Sequence, residues 1–230
     1  MTQVDNLIKY IPDLVSRNVL DVGCGEGAFV LDVLSRGGRV VAVEPHTGRV
    51  ERLKKIILEK HYPGEVYEAG GENMPFLKND SFGFINVCEV IEHVVEPEIV
   101  LNEVHRVLAK NGKVYISVPN RFGYYDWHFH LYFINWIPRF IAESIVTLLD
   151  HTLTPQNKEK QRLSDMHYMT KLGFTRLARE AGFILRDTRI IKISDKFKNP
   201  IIRLCAIIVY EIWSFFFLGN FHFILEKIDK

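Results

Sequence analysis

With 230 residues, nearly half of them apolar, the chain can bury a full core as one domain, or as one domain with a sizeable elaboration. A formal net charge of +1 excludes the strongly basic or acidic surfaces that mark nucleic-acid partners. Charge is nonetheless uneven, because residues 158–230 carry 14 Lys and Arg against 8 Asp and Glu. Cys24, Cys88 and Cys205 are few, odd in number and set among apolar or glycine residues. That usage suits a reducing, cytoplasmic compartment, and the first residues carry no pattern that predicts a secretory signal.

In chain order, Val4, Leu7, Ile8, Ile11, Leu14 and Val15 recur at helical spacing, so the pattern predicts an amphipathic helix over 4–16. A strand follows at 18–22, then a helix over 27–36 stopped by Gly37-Gly38. Residues 39–44 read as a buried strand ending in Glu44, 47–60 as a helix, 65–68 as a short strand and 84–88 as a fourth. Pro97 opens a helix to about 109, Lys110-Asn111-Gly112 reads as a turn, and 114–118 as a fifth strand. Such alternation predicts an α/β fold, a mostly parallel sheet with helices on both faces.

Beyond Asn120 the pattern changes. Residues 121–150 are dense in aromatics, including Trp127, Tyr132, Phe133, Trp136 and Phe140, and lead into an amphipathic helix over 138–149. A polar linker over about 151–165 precedes a helix over 170–181, capped by Gly182, and a strand over 183–193. Pro200 then opens the apolar stretch 201–218, and 221–227 alternates as a last strand.

The chemistry concentrates at Asp21-Val22-Gly23-Cys24-Gly25-Glu26-Gly27-Ala28. Alternating glycines between a strand and a helix let the backbone approach a nucleotide-sized ligand at the first βα turn. Glu44, nineteen residues after Gly25, can accept hydrogen bonds from both hydroxyls of a ribose bound there. A dinucleotide fingerprint would place its third glycine at position 28, which is alanine.

Val19 to Phe29 resembles the first motif of the class I S-adenosylmethionine-dependent methyltransferases. Glu72-Asn73-Met74-Pro75-Phe76 is similar to the segment flanking the adenine in that family. Glu89-Val90-Ile91-Glu92-His93-Val94 resembles the motif beside the reacting methyl, and Leu101-x-Glu103-x-x-Arg106 the helix before the fifth strand. Gly70 departs from the pattern, standing where the family usually has an acidic residue.

The resemblance implies a Rossmann-like seven-stranded sheet with an antiparallel last strand and apolar helical insertions on the acceptor side. It implies one methyltransferase domain over 1–230, with its cofactor core at 18–120 and an acceptor-side insertion at 121–165. The remaining segments are a return to the core at 166–198, an apolar helix at 199–219 and the last strand at 220–230. The cofactor is S-adenosyl-L-methionine, held by Asp21, Gly23, Gly25, Gly27, Glu44, Glu72, Asn73 and Met74. Core filling is an equal reading for Met74.

Glu89, Glu92 and His93 fall at i, i+3 and i+4, so one helical turn could aim all three at the sulfonium side. Similarity to ubiquinone-biosynthesis O-methyltransferases implies a divalent cation such as Mg on Glu89, Glu92, His93 and His167, with His128 or His130 able to replace His167. A metal-free catalytic or positioning role and a structural one stay open. Segments 121–150 and 199–219 suit peripheral contact with the inner face of the membrane, and so O-methylation of a lipophilic or lipid-linked acceptor. A soluble acceptor under an aromatic lid, a cofactor-binding protein without turnover and, more distantly, a hydride-transfer enzyme are the other readings. No nucleic acid is expected.

Overall fold

The computed structural model describes residues 1–153 and 161–228. Residues 154–160 of the expected polar linker, and the last two residues of the expected final strand, lie outside them.

Five parallel strands build the first part: β1 (Asn18–Val22), β2 (Arg39–Glu44), β3 (Gly64–Glu68), β4 (Phe82–Val87) and β5 (Leu108–Pro119). Two more complete the sheet, β6 (Phe183–Asp187) and β7 (Asn220–Lys227). The spatial order is β3-β2-β1-β4-β5-β7-β6, and β7 runs antiparallel to both of its neighbours. Alternate side chains enter two cores, one on each face. On one face α1 (Gln3–Leu7), α2 (Ala28–Ser35) and α3 (Thr47–Glu59) pack on Val19, Val40, Ala42 and Phe84. On the other, α4 (Pro97–Val107) and α6 (Lys171–Glu180) pack on Leu20, Val22, Ile85 and Val87.

Three elements differ from expectation. The helix over 4–16 divides into α1 and a short 3-10 turn at Leu14–Ser16, because Pro12 disfavours helical geometry at Ile11. The Lys110-Asn111-Gly112 turn is a bulge inside β5: Phe82 pairs Leu108 and Phe84 pairs Lys113, so the chain loops out between paired positions. The strand over 183–193 stops at Asp187, whose carboxylate accepts from the backbone N–H of Arg189 (2.8 Å) and Ile190 (3.4 Å) and so starts α7 (Thr188–Lys196).

After β5 the aromatic insertion forms a two-residue hairpin, Tyr125–Asp126 against Leu131–Tyr132, and then α5 (Arg139–Leu153). Ile134, Ala142, Val146, Leu163, Met166 and Tyr168 give it a small core of its own. The apolar stretch is α8 (Pro200–Phe217), capped by the Asn199 side chain at its start. At its end the Asn120 amide donates to the carbonyls of Ser214 (3.1 Å), Phe215 (3.1 Å) and Leu218 (2.8 Å). A helix leaves its last carbonyls without internal partners, and here one buried side chain at the end of β5 supplies them. Asn120→Leu keeps the branched shape and removes the donors, so it should cost about 2–4 kcal/mol in urea unfolding. An unchanged midpoint would mean that α8 is held by its other contacts alone.

Candidate active site

The sheet reverses its winding between β1 and β4, and the loops leaving the carboxyl ends of β1, β2 and β4 converge there. They enclose a cavity of about 740 Å³ whose walls include Asp21, Gly23, Gly25, Glu44, Gly70, Glu72, Glu89 and His93.

The β1 turn is held open by glycine. Gly23, Gly25 and Gly27 all have positive φ (69°, 55° and 80°). A Cβ on Gly23 would sit 2.5 Å from Val90 Cγ2, and one on Gly27 2.5 Å from Leu53 Cδ1. Gly25 faces open space, and its N–H donates to Glu44 Oε2 (2.9 Å). Glu44 Oε1 accepts from the His46 N–H (3.2 Å) and lies 3.4 Å from the Arg49 guanidinium. The second strand's carboxylate therefore shapes the first strand's turn.

Asp21 and Asn86 are register partners on β1 and β4, and Asn86 Nδ2 donates to Asp21 Oδ1 (2.7 Å). Gln3 Nε2 in turn donates to Asn86 Oδ1 (3.0 Å), so α1 contributes to the site. Burial, with a smaller push from the charge on Glu44, raises Asp21 to about 7. Glu72 folds back so that its Oε2 lies 2.8 Å from where a Cβ on residue 70 would be. The glycine at 70 makes room for this carboxylate, which takes the space of the usual acidic side chain.

Three expected cofactor residues, Gly27, Asn73 and Met74, are not in the cavity wall, and Gly27 packs against Leu53 instead. Met74 is fully buried in the core, its N–H donating to Glu103 Oε2 (3.1 Å) and its carbonyl accepting from Arg106 (2.8 Å). Arg106 also bonds the Leu77 carbonyl and Asn79, so the Glu103–Arg106 motif pins the loop that carries Glu72. Met74 anchors that loop. Asn73 is exposed beside it.

Beyond β4 the three expected chemical groups do not share one helical face. Glu89 takes a left-handed φ of 57°, with its N–H on Ser117 Oγ (2.8 Å), and the following residues make a turn rather than a helix. Glu89 and His93 therefore line the cavity while Glu92 turns inward and is 0% exposed. Neither Glu92 oxygen accepts a hydrogen bond, and burial pushes its carboxyl up to about 8. His128 Nε2 stands 3.6 Å from Glu92 Oε1. Ligand-capable atoms of Glu92, His93 and His128 lie within 4.8 Å of one another, the one such group among the described residues. Glu89 and His167 are outside it, and the His167 N–H donates to the Glu92 carbonyl (3.0 Å).

Both imidazoles are oriented. An amide oxygen only accepts, so the 2.9 Å contact between His93 Nδ1 and Gln161 Oε1 puts the proton on Nδ1 and leaves the lone pair on Nε2. His128 Nδ1 pairs with the Tyr168 hydroxyl (2.9 Å), and the His128 backbone N–H donates to Asp126 Oδ1 (2.9 Å). Gln3, Asn86, Tyr168 and Asp126 carry no local sequence signal; His128 was readable only as a substitute for His167.

Because Asp21 ionises at about 7 in the fold against 3.8 in a free chain, folding opposes its ionisation. Stability of the empty site should fall as pH rises from about 4 to about 7 and level off above. Asp21→Asn should therefore melt higher than the parent protein at pH 8 and lose that advantage below pH 4. Equal melting at pH 8 would contradict the burial cost.

A family described as a methyltransferase domain matches residues 20–116. Among curated proteins, a ubiquinone biosynthesis O-methyltransferase of Xanthomonas oryzae pv. oryzae is 31% identical over 111 residues, 47% of this chain and 46% of the relative. One from Pseudomonas syringae pv. tomato is 28% identical over 116 residues, half of each chain. The chain thus spans about half the length of the curated relatives it matches. Among solved structures, the YcgJ protein of Bacillus subtilis aligns with a TM-score of 0.63 at 16% identity, over 99% of this chain and 98% of that one. The PH0226 protein of Pyrococcus horikoshii aligns at 0.60 and 16%, over 98% and 88%. These neighbours share the fold. The domain match thus spans the part of the chain that carries the glycine turn and Glu44 at the switch point, and likens that part to a methyltransferase domain.

Proposed function

We propose that the protein transfers a methyl group from S-adenosylmethionine to a hydroxyl of a lipophilic acceptor at the cytoplasmic face of a membrane. The observation that carries the cofactor reading is the charge of the cavity. Asp21, Glu44, Glu72 and Glu89 line it against Arg49, while Glu26 is paired with Arg52 (2.8 Å). A pyrophosphate would meet carboxylates on three sides. S-adenosylmethionine carries a sulfonium, an ammonium and one carboxylate, a net cation that such a wall favours. Glu44 is placed to accept from the ribose diol and Asp21 to receive the ammonium, while Gly25 leaves room for the chain of the ligand.

Methyl transfer is an in-line displacement. The acceptor oxygen forms a bond to the methyl carbon as the carbon–sulfur bond breaks, and the acceptor's proton must go to a base. His93, which lines the cavity with Nδ1 held by Gln161 and so has its lone pair on Nε2, is the base of this reading. Glu89 faces the same space and favours the sulfonium. Glu92, His93 and His128 fit a cation as well: a buried carboxylate with two unpartnered oxygens beside two imidazoles is short of positive charge. A divalent cation bound there would lower the pKa of an acceptor hydroxyl. Two imidazoles and one carboxylate suit Zn²⁺, Mn²⁺ or Fe²⁺ better than Mg²⁺, and His128 takes the part expected of His167.

The acceptor side is bounded by the insertion. Its exposed aromatic face supports a lipophilic acceptor over a soluble one under a closed lid.

Glu44→Ala should weaken S-adenosylmethionine binding at least about tenfold by calorimetry, since it removes a charge-assisted bond and an anchor of the turn. Parent-like affinity would refute the site. Affinity should also rise from pH 6 to pH 8, as Asp21 loses the proton that burial holds to about 7. Adding Zn²⁺ or Mn²⁺ to metal-free protein should raise its melting temperature, and His128→Ala should abolish the increase; no increase would remove the metal from the reading.

A further inference from the structure

Helix α8 is amphipathic in the reverse of the usual sense. The side that meets the protein carries Arg203, Ile207, Tyr210, Glu211 and Ser214. Tyr210 donates to Asp187 (2.8 Å), and Lys171 bridges Asp187 (2.8 Å) and Glu211 (2.6 Å). Every exposed residue of α8 is apolar, from Ile201, Ile202 and Leu204 through Ile208, Val209, Ile212 and Trp213 to Phe215–Phe217. A surface helix in water presents the opposite arrangement.

This face does not end with the helix. Phe215 stacks on Phe122 (ring centroids 5.1 Å apart), Trp136 meets Phe216 (5.8 Å) and Tyr124 lies 6.3 Å from Phe217. The exposed rings of Trp127, Tyr132 and Phe133 continue it onto the hairpin. Two segments far apart in sequence thus make one apolar surface. At the other end, residues 188–203 carry Arg189, Lys192, Lys196, Lys198 and Arg203 against Asp195 alone. Arg189, Lys192, Lys196 and Lys198 are exposed.

We infer that this surface docks on an anionic lipid bilayer, with α8 lying in the membrane plane and its outward half among the acyl chains. Three features select a bilayer. The face is apolar along the whole helix with no polar residue interrupting it, whereas a protein interface carries a polar rim. Tryptophan and tyrosine gather at one end, as they do at the headgroup boundary. The lysines and arginines stand at the other end, where each adds attraction to anionic headgroups. Eighteen residues rise about 27 Å, enough to cross a bilayer. Crossing would nevertheless carry Lys171, Asp187 and the end of β5 into hydrocarbon, because Tyr210, Glu211 and the carbonyls of Ser214 and Phe215 are bonded to them. The helix therefore lies flat.

This docking builds on the lipophilic-acceptor reading but is tested without knowing the acceptor. All three tryptophans of the chain, Trp127, Trp136 and Trp213, are exposed on this surface and report on it directly. Full-length protein is mixed with phosphatidylcholine vesicles with and without phosphatidylglycerol, and read by flotation and tryptophan emission. Expected are co-flotation with the anionic vesicles, a blue shift, and quenching stronger from bromines near the headgroups than from bromines at the bilayer centre. The double variant I208E/I212E should lose at least tenfold in vesicle affinity while binding S-adenosylmethionine like the parent. Absence of flotation at low salt overturns the docking, as does a stable dimer burying the tryptophans in its place. Dominant quenching from the centre overturns the flat orientation. Loss of S-adenosylmethionine binding in the parent protein would overturn the function instead, and leaves the vesicle result standing on its own.

Discussion

Asp21 and Glu44 stand at the carboxyl ends of neighbouring parallel strands, both withdrawn from water and both facing one cavity. Burial, and to a smaller degree the charge on Glu44, opposes the ionisation of Asp21 unless something positive joins it. Much of the site follows from that. The backbone N–H of Gly25 and the guanidinium of Arg49 meet Glu44 in part, Asn86 meets Asp21 in part, and the remaining deficit is open to a cationic ligand. The glycines are required because the turn must bring a backbone N–H to Glu44 while leaving the cavity side empty. The fold supplies the rest: parallel strands end together, so residues 21, 44 and 89 meet despite their separation in sequence.

Features written in a single turn or strand were legible in the sequence. The glycine turn, Glu44, the alternation of strands and helices up to β5 and the cavity positions of Glu72, Glu89 and His93 depend on local spacing or on the regular geometry of βα units. Features set by long-range contact were not. Periodicity could not see that a left-handed Glu89 would turn Glu92 away from its neighbours, or that the hairpin would bring His128 to meet it. The strand that ended early at Asp187 has the same cause: its carboxylate takes up two backbone donors and a tyrosine hydroxyl contributed by α8. Met74 reads the same in sequence whether it touches a ligand or anchors a loop, and Arg106 is what decides between them.

Within the apolar stretch 201–218 the few polar residues form one narrow stripe on α8. A polar stripe normally faces water, and only the positions of Asp187 and Lys171 reveal that here it faces the protein. The helix turns a partly buried polar seam to the protein and an apolar face outward, and charge-assisted bonds at Tyr210 and Glu211 are among its anchors.

The place of β7 between β5 and β6 has a bearing on how the chain assembles. Five strands from β1 to β5 can close as each emerges, since every one pairs with a predecessor. Strand β6 cannot, because its sole partner in the sheet is β7, more than thirty residues further on. The edge of β5 stays open over the same interval, and its pairing of Val114 with Leu225 spans almost half the chain. Such distant pairings form slowly. During synthesis the apolar outside of α8 therefore emerges before the strand that fastens the far side of the sheet. A nascent chain meets lipid or chaperone with its stickiest element unsecured, and the order of its strands makes that interval unavoidable.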